Sequence, residues 1–92
     1  MKHAGPKALD RLEPFLAELR RFEGLKEKSR GCFYLRGRGF LHFHEHGEDE
    51  LYADIGLGAE TERIPAMTIA QRKTILKRTG QALADGKSRP GR

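Results

Sequence analysis

Residues 40–55 contain the feature that constrains the fold of this chain most: two short apolar runs that both alternate with a period of two. In the first run Leu41 and Phe43 alternate with histidines, and in the second Leu51, Ala53 and Ile55 alternate with polar side chains. Because successive side chains of a strand point to opposite faces, each run predicts a half-buried β-strand. The two runs lie close enough in the chain to form a hairpin.

The length of the connection decides which side chains of this hairpin share a face. Only an odd number of residues keeps both apolar faces together, because a slip of one residue turns a whole strand over. Residues 47–49 meet that condition. They predict two pairs on the core face, Phe43 with Ala53 and Leu41 with Ile55. On the opposite face, which we call the histidine face, they predict the pairs His42–Asp54, His44–Tyr52 and His46–Glu50.

A helix is predicted on either side of the hairpin. Between residues 11 and 23 apolar side chains recur at steps of three and four, and Asp10 and Glu13 have capping-box spacing, so this helix is predicted to begin at residue 11. Thr68 and Gln71 have the same spacing and predict a second helix that ends near residue 84, with Ile69 on its buried side.

Shorter segments complete the predicted sheet. Residues 32–36 predict a strand joined to the hairpin by a turn at residues 37 and 38, which pairs Tyr34 with Leu41 and Phe33 with His42. Residues 61–66 predict a last strand at an edge, because Pro65 cannot donate to a ladder. Residues 26–30 are predicted to be a charged connection.

These elements predict an α+β domain over residues 9–84. Its antiparallel meander sheet has three to four strands, and an N-terminal and a C-terminal helix pack on one face of that sheet. Residues 1–8 are predicted to be a flexible N-terminus and residues 85–92 a disordered basic tail.

Length and composition limit the class of protein. Ninety-two residues, 37% of them hydrophobic, suit one domain with a single small core. We expect a cytoplasmic protein without a membrane partner, because no apolar run could cross a bilayer and no secretory signal begins the chain. Cys32 is the only cysteine, so an internal disulfide is excluded, and the predicted register places it opposite Phe43 on the core face.

The histidine face supports a metal hypothesis. Alternate residues of a strand stand roughly 7 Å apart, so two imidazoles can converge on one ion while a carboxylate across the hairpin contributes an oxygen. Such a set suits zinc, iron, nickel or copper. The candidate ligands are His42, His44, His46, Asp54 and Glu50. The alternative is that these side chains form ordinary cross-strand hydrogen bonds and that no cofactor is bound.

The net charge of +5 permits an anionic partner such as a nucleic acid without requiring one. The order helix, three strands, helix is also that of double-stranded RNA-binding domains, in which basic residues of the last helix meet phosphates. The corresponding residues are Arg72, Lys73, Lys77 and Arg78. Neither the Gly-Pro-x-His loop nor the glycine-serine-lysine run expected before such a helix is present.

The third hypothesis, and the one the pattern favours, is a non-enzymatic binding module. An exposed sheet face that carries aromatic side chains among histidines suits a protein partner or a second copy of the chain. The predicted surface consists of Phe33, Phe40, His42, His44 and Tyr52.

The segments FLHFHE and LYADI resemble parts of small bacterial proteins with no established activity. The resemblance covers the middle half of the chain. It implies no activity and no site residues.

Overall fold

The structure is a computed structural model, and it describes residues 2–47 and 49–87 of the chain. The elements in chain order are β1 (Lys2–His3), α1 (Pro6–Leu19), β2 (Leu25–Ser29), β3 (Cys32–Leu35), β4 (Arg38–His46), β5 (Glu50–Ile55), a 3₁₀ turn (Gly58–Glu60), β6 (Glu62–Pro65) and α2 (Ile69–Lys87). Within these residues, neither helix is long and apolar enough to cross a membrane.

The strands form one antiparallel sheet in the order β2-β3-β4-β5-β6, and β1 pairs with the end of β4 that β3 leaves uncovered. The predicted α+β class, with a helix toward each end of the chain, is therefore confirmed. The sheet is larger than the three to four strands expected, with six strands among the described residues. The charged residues 26–30 belong to β2 and the turn after it, because Leu25 is buried opposite Leu35 and anchors this strand to β3.

The register of the central hairpin is the predicted one. Leu41 pairs with Ile55 and Phe43 with Ala53, and all four side chains are buried. The pairs on the histidine face, His42–Asp54, His44–Tyr52 and His46–Glu50, are also as expected. Residue 48 lies outside the described residues. The strands on either side of it pair as a connection of odd length predicts, with both apolar faces on the same side of the sheet.

The predicted register between β3 and β4 was wrong. Phe33 pairs with Leu41 and Tyr34 with Gly39, which leaves Phe40 as an extra residue in β4. This β-bulge lets Phe40 bury its side chain although the neighbouring Leu41 is also in the core. The turn also lies one residue earlier than predicted, at residues 36 and 37, whose φ values of 52° and 81° fit a two-residue hairpin turn.

The core lies between the sheet and the helices. Helix α1 contributes Leu12, Phe15, Leu16 and Leu19, and the rings of Phe15 and Phe43 meet edge to face with 5.9 Å between their centroids. Helix α2 contributes Ile75 and Thr79.

The helix boundaries correct part of the prediction. Helix α1 begins at Pro6, with Gly5 as its N-cap, so residues 2–8 form a strand and the first helical turn. The capping box of Thr68 and Gln71 is present, with Gln71 N donating to Thr68 Oγ1 at 3.1 Å and Thr68 N to Gln71 Oε1 at 3.0 Å. Ile69, predicted to be buried, is 75% exposed. Helix α2 runs to Lys87, and the rest of the predicted tail lies outside the described residues.

Candidate metal centre

The register places the side chains of the histidine face in two rows that run across the strands. One row takes a residue each from β3, β4, β5 and β6, and the other takes a residue each from β1, β4, β5 and β6. The first row is Cys32–His42–Asp54–Arg63, and the second is His3–His44–Tyr52–Pro65. Cys32 therefore lies opposite His42 on this face, not opposite Phe43 in the core as predicted, because the bulge shifts the register of β3.

Asp54 is the residue that joins the two rows. Its Oδ2 lies 2.9 Å from Nε2 of His44 and 3.6 Å from Nε2 of His42. One donor atom from each of the three residues can be chosen so that all three lie within 4.8 Å of one another. These are three of the five predicted metal ligands.

Arg63 holds the carboxylate of Asp54 from the edge of the sheet. Its Nε donates to Oδ1 at 2.8 Å and its Nη2 donates to Oδ2 at 3.0 Å. The hydrogen bonds from this guanidinium, together with the nearby charge of the His44 side chain, hold the pKa of Asp54 below its ordinary value. Asp54 is therefore an anion with a fixed orientation. Sequence reasoning missed Arg63, because it did not establish the register between β5 and β6.

His44 is the most enclosed imidazole of the group. Its side chain is 12% exposed, and both ring nitrogens are buried. The 2.9 Å approach of Nε2 to Asp54 lacks the geometry of a hydrogen bond, and neither nitrogen has a hydrogen-bond partner among the described residues. Buried polar atoms normally have partners, so the position of these nitrogens requires an explanation.

His42 lies beside His44, with 5.1 Å between the ring centroids. Burial, and next the positive charge that His44 can carry, lower the pKa of His42. Both effects favour the neutral imidazole, which is the form that binds metals. The cluster can thus present two imidazole nitrogens and one carboxylate oxygen to a cation.

A third imidazole, that of His3, lies against the same cluster. Its ring stacks on that of His44 with 4.8 Å between centroids, and its centroid lies 5.8 Å from that of His42. Sequence reasoning missed His3 because residues 1–8 were predicted to be flexible. A two-residue strand has no periodicity that could have revealed it.

The other two predicted ligands lie toward the tip of the hairpin. His46 and Glu50 pair with each other across the strands, and both residues are exposed. The carboxylate of Glu50 instead accepts a hydrogen bond of 2.6 Å from the hydroxyl of Tyr52, which raises the pKa of Tyr52. Neither His46 nor Glu50 belongs to the group that meets at Asp54.

Two of the five residues predicted to form the interaction surface are buried. Phe33 and Phe40 are 1% and 4% exposed, since the bulge turns both rings into the core. His42, His44 and Tyr52 remain on the histidine face. The expectation that a protein partner or second copy covers this face stays a prediction, which the solution mass of the protein can test.

The four basic residues of α2 that were predicted to meet phosphates differ in their contacts, and the nucleic-acid hypothesis stays a prediction. The side chain of Arg72 donates from Nε to the carbonyl oxygen of Ala66 at 3.0 Å and lies over the ring of Phe15. Arg78 forms an ion pair with Glu62. The residues Lys73 and Lys77 are exposed.

Comparisons with protein-family models, with curated proteins and with solved structures found no match for this chain. The resemblance of FLHFHE and LYADI to small bacterial proteins therefore stays a prediction.

Proposed function

We propose that this protein is a binding module that holds a divalent transition-metal ion through His42, His44 and Asp54. The observation that carries the proposal is the imidazole of His44, whose two ring nitrogens are buried without a hydrogen-bond partner among the described residues and which faces an anionic carboxylate. A cation between these groups would satisfy a nitrogen that the protein otherwise leaves unpaired.

The spacing of the donor atoms supports this assignment. Zinc binds nitrogen and oxygen ligands at about 2.0–2.2 Å in tetrahedral sites, so neighbouring ligand atoms stand about 3.4 Å apart. The distance of 3.6 Å from Asp54 Oδ2 to His42 Nε2 is close to that value, and the 2.9 Å to His44 Nε2 must open by about half an ångström.

The charges around the site also support a cation. Asp54 is ionised and His42 favours its neutral form, as metal ligands must. Arg63 orients the carboxylate from one side, in the way that outer partners of metal ligands do. Each carboxylate oxygen accepts more than one bond, so Oδ2 can keep its contact with Arg63 and still bind an ion. Imidazole and carboxylate together suit zinc, nickel, iron or copper.

Calorimetric titration of zinc into the chelator-stripped protein tests the proposal. We expect one ion per chain, and we expect His42→Ala and His44→Ala each to weaken binding by about tenfold or more, equivalent to about 1.4 kcal/mol. His46→Ala is the matched control, because the imidazole of His46 lies on the same strand and face but outside the cluster. This variant should bind zinc like the original protein. Absence of zinc, nickel and iron binding would refute the proposal, as would equal losses in all three variants.

Thermal unfolding gives an independent readout. An ion that binds only the folded chain should stabilise it by about 2.7 kcal/mol when its free concentration is a hundred times the dissociation constant. At the same free concentration His44→Ala should reduce this stabilisation to about 1.4 kcal/mol or less, while the far-ultraviolet circular dichroism of the metal-free variant remains that of a folded α+β protein.

A further inference from the structure

The first strand of the sheet, β1, brings His3 to the edge of the proposed metal site. His3 pairs with His44 across the strands, so its side chain extends from the histidine face. Its ring contacts both imidazoles of the cluster, at 4.8 Å from His44 and 5.8 Å from His42 between centroids. Protein sites for zinc commonly have four ligands, and His42, His44 and Asp54 supply three.

We infer that His3 supplies the fourth ligand, and that binding of the ion is thereby coupled to the docking of β1 on β4. The inference rests on the proposed metal-binding function. The ring of His3 now stacks on that of His44, so it must rotate about its side-chain torsions to point a nitrogen at the ion. Because His3 is exposed, the surrounding core does not oppose this rotation.

The coupling follows from how few bonds hold β1 to the rest of the sheet. The strand has two residues. The two residues after it each donate one hydrogen bond to β4: Ala4 N to the carbonyl oxygen of Phe43 at 3.0 Å, and Gly5 N to Oε2 of Glu45 at 2.6 Å. Short terminal segments with few bonds open with little free-energy cost. A bond from His3 to an ion held by β4 and β5 adds a link that the opened state lacks.

Cys32 is the competing candidate for the fourth position, because it flanks the cluster in the other row, opposite His42. A thiolate is a strong zinc ligand. Neither residue belongs to the group of donor atoms that meets at Asp54, and the observation that favours His3 is ring contact: its centroid lies 4.8 Å from that of His44 and 5.8 Å from that of His42. Cys32→Ser is therefore the matched control for a substitution of His3.

The test measures zinc affinity by competition with a chromophoric chelator in the full chain and in the variants His3→Gln, Cys32→Ser and His42→Ala. We expect His3→Gln to weaken binding about tenfold or more and Cys32→Ser to leave it within about twofold. The visible spectrum of the cobalt-substituted protein should change from a four-coordinate pattern toward a higher-coordinate one in His3→Gln, because the space that the imidazole leaves admits more than one water molecule.

Hydrogen exchange at the amide of Ala4 tests the coupling itself. This amide bonds to β4 only when β1 is docked, so zinc should slow its exchange in the original protein and in Cys32→Ser, and should leave it unchanged in His3→Gln. His3 lies outside the core, and circular dichroism will verify that His3→Gln folds.

The outcomes separate the two proposals. If the original protein binds none of zinc, nickel and iron, the proposed function fails and this inference fails with it. If zinc binds and His42→Ala loses affinity while His3→Gln keeps it within about twofold, only the inference is overturned. A loss in Cys32→Ser without a loss in His3→Gln would assign the fourth position to Cys32 and also overturn it. Unchanged exchange at Ala4 on adding zinc would refute the coupling.

Discussion

Replacing His44 by phenylalanine should separate what this residue does for stability from what it does for a ligand. Both nitrogens of His44 are buried without a hydrogen-bond partner among the described residues, and each such atom costs about 1–3 kcal/mol. Phenylalanine keeps an aromatic ring against His3 and His42 and removes both nitrogens. Its slightly larger ring and the lost contact with Asp54 offset part of the gain.

We therefore expect His44→Phe to raise the free energy of unfolding of the metal-free protein by about 1–2 kcal/mol, and to abolish zinc binding. In a domain of this size each kcal/mol corresponds to a shift of about 4–8 °C in melting temperature. The assay is urea unfolding, followed by circular dichroism, in the presence of a chelator.

The matched control is His46→Phe, which makes the same chemical change at an exposed position of the same strand. We expect it to alter stability by no more than about 0.5 kcal/mol. The reasoning would be refuted if His44→Phe lowered the free energy of unfolding by about 1 kcal/mol or more, because His44 would then make a stabilising polar interaction of its own.

Three further predictions concern the scaffold. Thr68→Ala should destabilise the protein by about 1 kcal/mol in urea unfolding, because it removes the N-cap bond of α2; an unchanged midpoint would contradict this. Gly31→Ala and Gly37→Ala should each cost about 1–2 kcal/mol, because both residues have a φ near +80°. Gly31→Ala should lower the free energy of unfolding more than Gly37→Ala does, because a Cβ at residue 31 would lie 2.7 Å from Leu9 Cδ2, whereas a Cβ at residue 37 would meet nothing within 4 Å. Equal losses of free energy in the two variants would contradict this difference. Hydrogen bonds from two arginines lower the pKa of Glu13 from 4.5 to about 2. The original protein should therefore have a higher free energy of unfolding than Glu13→Gln at neutral pH, and this difference should shrink as the pH falls below 4.5 toward 2. A difference independent of pH would refute that contribution.

The central hairpin was predictable because its register depends on local information. The alternation of Leu41 and Phe43, the second alternation around Ala53 and the odd connection leave one arrangement that buries both apolar faces. The same reasoning correctly placed His42 beside Asp54. All three residues of the candidate metal site were therefore placed on one face by the pattern alone.

The remainder depends on features that periodicity does not encode. The bulge at Phe40 breaks the alternation, so the sequence placed Phe33 and Phe40 on the wrong face and Cys32 in the core. Strand β2 has one buried residue among five, Leu25, so its charged sequence resembles a connection. The position of His3 follows from pairing between segments far apart in the chain, and that of Arg63 follows from the register between β5 and β6.

The two rows of the histidine face draw side chains from positions 3 to 65 and from five of the six strands described. A chain still being synthesised cannot gather them until the last strand has left the ribosome and closed the sheet, and a strand paired one residue out of step would turn its members of the rows away. The proposed ligands come from β1, β4 and β5, so an ion captured here would distinguish molecules in which these three strands are correctly paired from mispaired ones.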